Sequence, residues 1–531
     1  MPLFPNLRPS RREILKNSGL IAGVSAALPV GVLKSRAAVP EASVVPNSSD
    51  NNLYSQIGVR TLINARGTFT IITGSCSLPQ VKQAMLEASN YFVHLDELMP
   101  AVGGEIAKLM GAEAALVTNG CEAAIALATV ACIAGADPEL TQSMPYVKVR
   151  NQVIIPKHSR NPYDFGVRMC GADIVEVDSA DELRSRLSEE TAMIYVLSSP
   201  AAENGPLSIA SICSIARDRN LPVFVDAAAE EPLAPNIHLA HGATLVGYSG
   251  GKCMRGPQAA GLLLGQKELV EAAWFNAAPH HNWGRALKVG KEEAMGMLAA
   301  VRQWYKRDHE AEQRQWRLWL SYIESRISTF PSVTTEYLEP EDLSNRAPRL
   351  AIRWDANQLL ITGTELAERL DKGIPRILIA EPAGRRPEHM ASSIIIMPYM
   401  MAPGEAQIVA DALVEIFRHP GHYENPPIPQ GTLAEVAGTW DVEVKFIRGT
   451  GHQRFTLQQS GDVLTGSQTG EVYQASLQGS VKADQVELRS EMSVPGNTIP
   501  WSFTGSAKGD SMTGNVSMGE YGAASWTAIR G

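Results

Sequence analysis

The segment from Leu221 to Gly265, LPVFVDAAAEEPLAPNIHLAHGATLVGYSGGKCMRGPQAAGLLLG, constrains this chain more than any other. An apolar run, Pro222 to Val225, ends at Asp226, and a second, Ala243 to Val246, leads into Tyr248-Ser249-Gly250-Gly251-Lys252. Both have the length and β-branched content of strands buried in a parallel sheet, where ligand-facing groups gather at the carboxyl ends. Taken singly, Asp226 reads as a helix cap and Lys252 as an exposed lysine in a glycine turn. Taken together, a carboxylate after one strand and a lysine after a nearby one suit pyridoxal phosphate. The lysine forms a Schiff base with that cofactor, and the carboxylate keeps the pyridine nitrogen protonated so that the ring draws electrons from a substrate.

A second pattern lies upstream. Ala114 to Val117 reads as a short buried strand that turns through Thr118-Asn119-Gly120-Cys121-Glu122 into a helix of small residues. Such a turn presents free backbone N–H groups and the positive end of a helix dipole to an anion. Thr118, Asn119, Gly120 and Cys121 are therefore candidate phosphate-binding residues, with Ser249 a further one. Repeated strand and helix patterns at 153–177 and 193–219, leading on to the Asp226 strand, call for a mostly parallel sheet with helices on both faces.

The words VDAAAE, SGGK and RGPQAAG resemble the bacterial selenocysteine synthase (L-seryl-tRNA(Sec) selenium transferase) family and its relatives, which include D-glucosaminate-6-phosphate ammonia-lyase. The resemblance covers roughly residues 51–418. It implies a fold-type I pyridoxal-phosphate enzyme, an α/β protein with a small α+β C-terminal subdomain. It also implies β-elimination or β-replacement on an amino acid or amino sugar acid, and a homodimer or higher homo-oligomer. Lys252, freed when the substrate amine takes its place, becomes the acid–base group. By the same resemblance His158, with Tyr163 in reserve, stacks on the cofactor ring. Asn64, in a segment with Gly67 and Thr68, lies near the active site, and Arg285 belongs to a basic block suited to an anionic substrate. Arg376, Arg385 and Arg386 are candidates to grip a substrate carboxylate. SGGK departs from the synthases, which carry a different residue beside the lysine.

Composition narrows the alternatives. With 47 basic against 56 acidic residues the net charge is −9, so nothing favours a phosphate backbone as partner, and nucleic acid is not expected. The six cysteines are scattered without a C-x-x-C pair, which argues against a zinc site or a disulfide framework. Two competing readings remain: selenium transfer onto seryl-tRNA, and a non-catalytic exported binding protein that kept the fold.

The ends of the chain read differently from its middle. Ser10-Arg11-Arg12-Glu13-Ile14-Leu15-Lys16 matches a twin-arginine signal, followed by an apolar stretch too short and too rich in Gly and Ala for a stable membrane span. Residues 1–38 are thus expected to be a signal peptide directing the protein to the periplasm or beyond, and 39–53 a disordered connector. The large domain is expected over 54–292, and a long helix through about residue 327 with the small subdomain over 293–418. A proline-rich linker, 419–431, ends the catalytic part. Residues 432–531 alternate apolar and polar in about eight short runs separated by turns, which predicts an antiparallel barrel or sandwich.

Overall fold

The computed structural model describes residues 52–531 apart from 426 and 428. The twin-arginine pattern and nearly all of the expected connector lie outside the described residues. Two sheets and a barrel organise the rest.

The larger sheet has seven strands in the order Ala114–Thr118, Gly261–Gly265, Leu245–Ser249, Val223–Asp226, Thr191–Leu197, Gln152–Pro156 and Asp173–Val177. Gly261–Gly265 runs antiparallel to both its neighbours and every other pairing is parallel. Val223–Asp226 is buried at every position and Thr191–Leu197 at all but its last, as expected of strands covered on two faces. Asp226, Ser249 and the Thr118 turn therefore all lie at the carboxyl ends of their strands, on one end of the sheet.

Close packing fixes that meeting. The helix Gly120–Ala134 is buried almost throughout, and its small residues let it lie against the strands. A Cβ at residue 261 would stand 2.3 Å from the carbonyl carbon of Gly120, and one at residue 247 only 2.9 Å from the Cys121 sulfur. Only glycine permits both approaches.

The smaller sheet is ordered Leu62–Ala65, Arg376–Arg385, His389–Ile396, Arg349–Asp355 and Thr334–Leu338, with only the first pairing parallel. Ile63 and Ala65 consequently pack in the core of the C-terminal subdomain, with Leu320, Leu366 and Leu413 of its helices. The opening strand thus pairs far from its sequence neighbours. The one long helix expected through residue 327 is two: Lys291–Trp304 and His309–Ile327. Asp308 accepts a hydrogen bond from the Ala311 N–H and caps the second helix, while Arg307 folds back to donate to the Cys253 carbonyl at 3.0 Å. Local capping and a tertiary bond together outweigh the continuous apolar periodicity.

The C-terminal residues form a closed eight-stranded antiparallel barrel in which Gly438–Lys445 pairs with both Thr450–Ser460 and Ala523–Arg530. Its inside is filled by Trp440, Phe455, Phe503 and Trp526, with Phe455 edge-on to Phe503 at a centroid distance of 5.0 Å.

Candidate active site

Asp226 is 2% exposed at the end of its strand. Its Oδ2 accepts a hydrogen bond from the Tyr195 hydroxyl at 2.8 Å, and its Oδ1 accepts from the Ala228 N–H at 3.1 Å and the Cys121 thiol at 3.5 Å. None of these donors carries a charge. Burial pushes the carboxyl above its ordinary range, opposed by the bonds from Tyr195 and Ala228 and by the charge of Lys252. A buried carboxylate held only by neutral donors lacks a cation, and a protonated ring nitrogen supplies one.

The support behind Asp226 reaches further. Asn161 Nδ2 donates to the Tyr195 oxygen at 3.0 Å, and the Asn161 Oδ1 accepts from the Tyr163 N–H. Asn161, in the turn after Gln152–Pro156, Tyr195, inside Thr191–Leu197, and Asp226, at the end of Val223–Asp226, thus form a continuous hydrogen-bonded relay. Sequence reasoning missed Tyr195 and the role of Asn161. The available signal was a tyrosine inside the apolar run MIYVL, since a hydroxyl buried there needs a partner.

Lys252 follows Leu245–Ser249 by way of Gly250 and Gly251 and is half-buried. Its ammonium makes no hydrogen bond or ion pair among the described residues. Three residues on, Arg255 holds a backbone φ of 52° and donates through Nε to the Cys76 carbonyl at 3.0 Å. Among the described residues no carboxylate forms an ion pair with it; burial, and after it the neighbouring charge of Arg307, pushes its pKa down, opposed by Cys76 and the more distant charge of Glu312. The RGPQ word contained this residue, yet a sequence cannot reveal that an arginine is desolvated and lacks an acid.

At the phosphate turn, the Thr118 hydroxyl donates to the Gly120 carbonyl at 2.8 Å, and Gly120 takes φ 78°. Asn119 at the N-cap makes no side-chain capping bond, so the first N–H groups of the helix Gly120–Ala134 have no side-chain acceptor. Cys121 turns its sulfur away from that mouth toward Asp226, and Ser249 lies at the end of the neighbouring strand. Glu122, in the first turn, has its carboxyl pushed up by burial and then by the charge of Asp226, which lessens its opposition to an anion.

His158 stands just after strand Gln152–Pro156. Its Nδ1 shares a hydrogen bond of 3.1 Å with the Ser159 hydroxyl, while its Nε2 is buried without a partner. Tyr163 lies half-exposed in the next turn, its hydroxyl raised by burial and then by the charges of Asp226 and Glu122. An orphaned imidazole nitrogen, an unpaired buried carboxylate, a free lysine and an uncapped helix start, all at or beyond the carboxyl ends of strands of one sheet, fit pyridoxal phosphate.

Asn64 closes its own turn, accepting from the Arg66 and Gly67 N–H groups at 3.0 Å each and donating to the Gly67 carbonyl at 2.9 Å. Thr68 hydrogen-bonds to Asn345. Arg376 opens its strand opposite Leu62 and donates to Asp371 at 2.6 Å, and Arg386 pairs with Glu365. Arg285 and Arg385 are exposed.

Known proteins carry similar sequences and folds. A family model described as Cys/Met metabolism PLP-dependent enzyme matches residues 95–289. D-glucosaminate-6-phosphate ammonia lyase of Salmonella typhimurium is 30% identical over 379 residues, which are 69% of this chain and 98% of the relative. A solved structure of D-glucosaminate-6-phosphate ammonia-lyase aligns with a TM-score of 0.61 at 28% identity, covering 70% of this chain and 99% of that one. An L-seryl-tRNA(Sec) selenium transferase of Proteus mirabilis is 28% identical over 224 residues, 38% of this chain and 45% of the relative.

Proposed function

The chain belongs to the pyridoxal-phosphate-dependent enzyme family that includes D-glucosaminate-6-phosphate ammonia lyase, and we propose that it removes or replaces a group at Cβ of an amino acid or amino sugar acid. Pyridoxal phosphate, held at the carboxyl ends of strands in the seven-stranded sheet, would supply an electron sink for the bond broken at the substrate's Cα. The observation that carries the reading is Asp226, a buried carboxylate with neutral donors only, one strand from Lys252.

The chain's own residues divide the remaining work. Asp226, steadied by Tyr195 and Asn161, keeps a proton on the cofactor's ring nitrogen. The N–H groups of Gly120 and Cys121, with Ser249, would hold the phosphate. His158 would stack on the ring. The Lys252 amine takes the proton from Cα and returns a proton to the departing group, as general base and then general acid. Arg255, desolvated and without an acid partner, is the better placed arginine for a substrate carboxylate, because Arg376 and Arg386 already pair with Asp371 and Glu365.

The twin-arginine pattern supports export of the folded, cofactor-loaded enzyme, and the exposed apolar run Tyr91-Phe92-Val93 supports a homodimer. Replacing Arg11 and Arg12 by lysine should leave the protein in the cytoplasm; continued export would remove that part. Transfer to seryl-tRNA is disfavoured by the net charge of −9.

The test is the visible absorption spectrum of the purified protein beside Lys252→Ala, before and after D-glucosaminate 6-phosphate and a panel of small amino acids. A cofactor band that Lys252→Ala loses or alters, and that one class of amine shifts, supports the assignment and identifies the substrate class. A band indifferent to residue 252 would sink it.

A further inference from the structure

The barrel reaches the catalytic site at one hairpin. The strands Gln485–Val494 and Asn497–Lys508 join through Pro495-Gly496, and Gly496 takes φ 71°. A Cβ at residue 496 would lie 2.4 Å from the Asn161 carbonyl oxygen and 2.8 and 2.9 Å from the two Asp164 carboxylate oxygens. The hairpin tip is therefore seated backbone-first on the turn that carries Asn161, and no other residue type fits there. Asn161 is the outer member of the relay through Tyr195 to Asp226.

A second barrel loop lies beside that tip. Asn497 Nδ2 donates to the Tyr521 hydroxyl at 2.8 Å, which ties the hairpin to the turn Gly519–Tyr521. Glu520 is exposed in this turn and pairs with no cation among the described residues. Tyr163 lies in the turn capped by Asn161, on which the hairpin rests, and its hydroxyl feels, after burial and the charges of Asp226 and Glu122, a smaller contribution from the Glu520 charge.

We propose that the barrel forms the outer wall of its own chain's active site and that Glu520 is a specificity-determining residue, admitting amino acids with uncharged or cationic tails and opposing those with anionic ones. This rests on the reading of the site given above and adds its substrate class. The α-carboxylate is assigned to Arg255, as above. A tail pointing outward meets a lone carboxylate, and like charges in partly desolvated space repel. The selectivity comes from the appended barrel, in a part of the chain that the TM-score match to the lyase does not require, since that structure is already covered over 99% of its length.

The experiment uses full-length, cofactor-loaded protein as wild type, E520Q and E520K. The D and L forms of aspartate, serine and 2,3-diaminopropionate are titrated against each, reading the change in the cofactor's visible spectrum rather than turnover. The expected result is that E520K tightens aspartate relative to serine by about fivefold and weakens diaminopropionate by a similar factor, with E520Q between and the differences shrinking in high salt. Gly496→Gln lifts the hairpin, and its ratios should move toward those of E520Q while near-ultraviolet dichroism reports a folded barrel. A spectrum that responds to amino acids with ratios indifferent to residue 520 overturns this inference alone. A wild-type spectrum that responds to none of the amines, including D-glucosaminate 6-phosphate, overturns the proposed function and this inference with it.

Discussion

The seven-stranded sheet and the barrel solve the same problem, burying β-strands, in opposite ways. Thr191–Leu197 is buried at six successive positions, whereas Gln485–Val494 alternates exposed and buried along nearly its whole length. A strand covered on both faces has nowhere to present chemistry except its end, and Asp226, Ser249 and His158 all sit at or just beyond strand ends. A barrel strand has a wet outer face and a filled inner one, so its contribution to a neighbour comes from its hairpins. The strand-end position of the catalytic residues and the barrel's contact with the Asn161 turn through the Gly496 hairpin both follow from these rules.

The comparison breaks most visibly at a strand end. Lys252→Ala should abolish turnover by at least about a thousandfold while leaving the thermal unfolding of the protein nearly unchanged. A residual rate within tenfold of wild type would move the chemistry elsewhere. Next comes the barrel's filled interior: Trp440→Ala should cost about 3–5 kcal/mol of barrel stability in denaturant titration, yet retain the cofactor band, because the cofactor's proposed ligands lie in the other domain. Loss of the band would make the barrel part of cofactor binding itself.

A smaller effect has the opposite sign. Burial raises the Asp226 carboxyl, so the native cofactor-free protein binds that proton more readily than the unfolded chain does. Stability from this group is present below its ordinary range and is lost as pH rises through the raised folded value. Asp226→Asn should therefore stabilise the cofactor-free protein near neutral pH by about 1–2 kcal/mol, with the advantage vanishing in acid, while activity collapses. Melting temperatures across pH read it, and an advantage that persists in acid would refute it. The smallest pair sharpens the comparison directly. Ile154→Thr, inside the parallel sheet, should cost about 1–3 kcal/mol, whereas Arg489→Thr, on the barrel's outer face, should stay within about 0.5 kcal/mol by urea titration.

Much of this was legible before any coordinates. The runs at 193–199, 222–225 and 243–246 read as strands of a parallel sheet from their apolar content, and the eight C-terminal runs read as a barrel or sandwich because theirs alternates. Asp226, Lys252 and the Thr118 turn were recognisable because cofactor chemistry demands those groups after strands in that order. Arg255 was not, since nothing local distinguishes an arginine with an acid partner from one without. The helix break at Tyr305–Asp308 was hidden as well, because the periodicity of Met297, Val301 and Trp304 continues plausibly past it.

Hydrophobic period and turn chemistry act between near neighbours, and a sequence carries them in full. They determined the strands, the barrel's alternation and the two residues at the centre of the site. Which strand lies beside which, that Leu62–Ala65 pairs with Arg376–Arg385, that Tyr195 and Asn161 stand behind Asp226, and that Gly496 rests on the Asn161 turn, were decided by the tertiary structure. Those contacts join residues tens to hundreds of positions apart, and their energy comes from burial and close approach that exist only once the chain has folded.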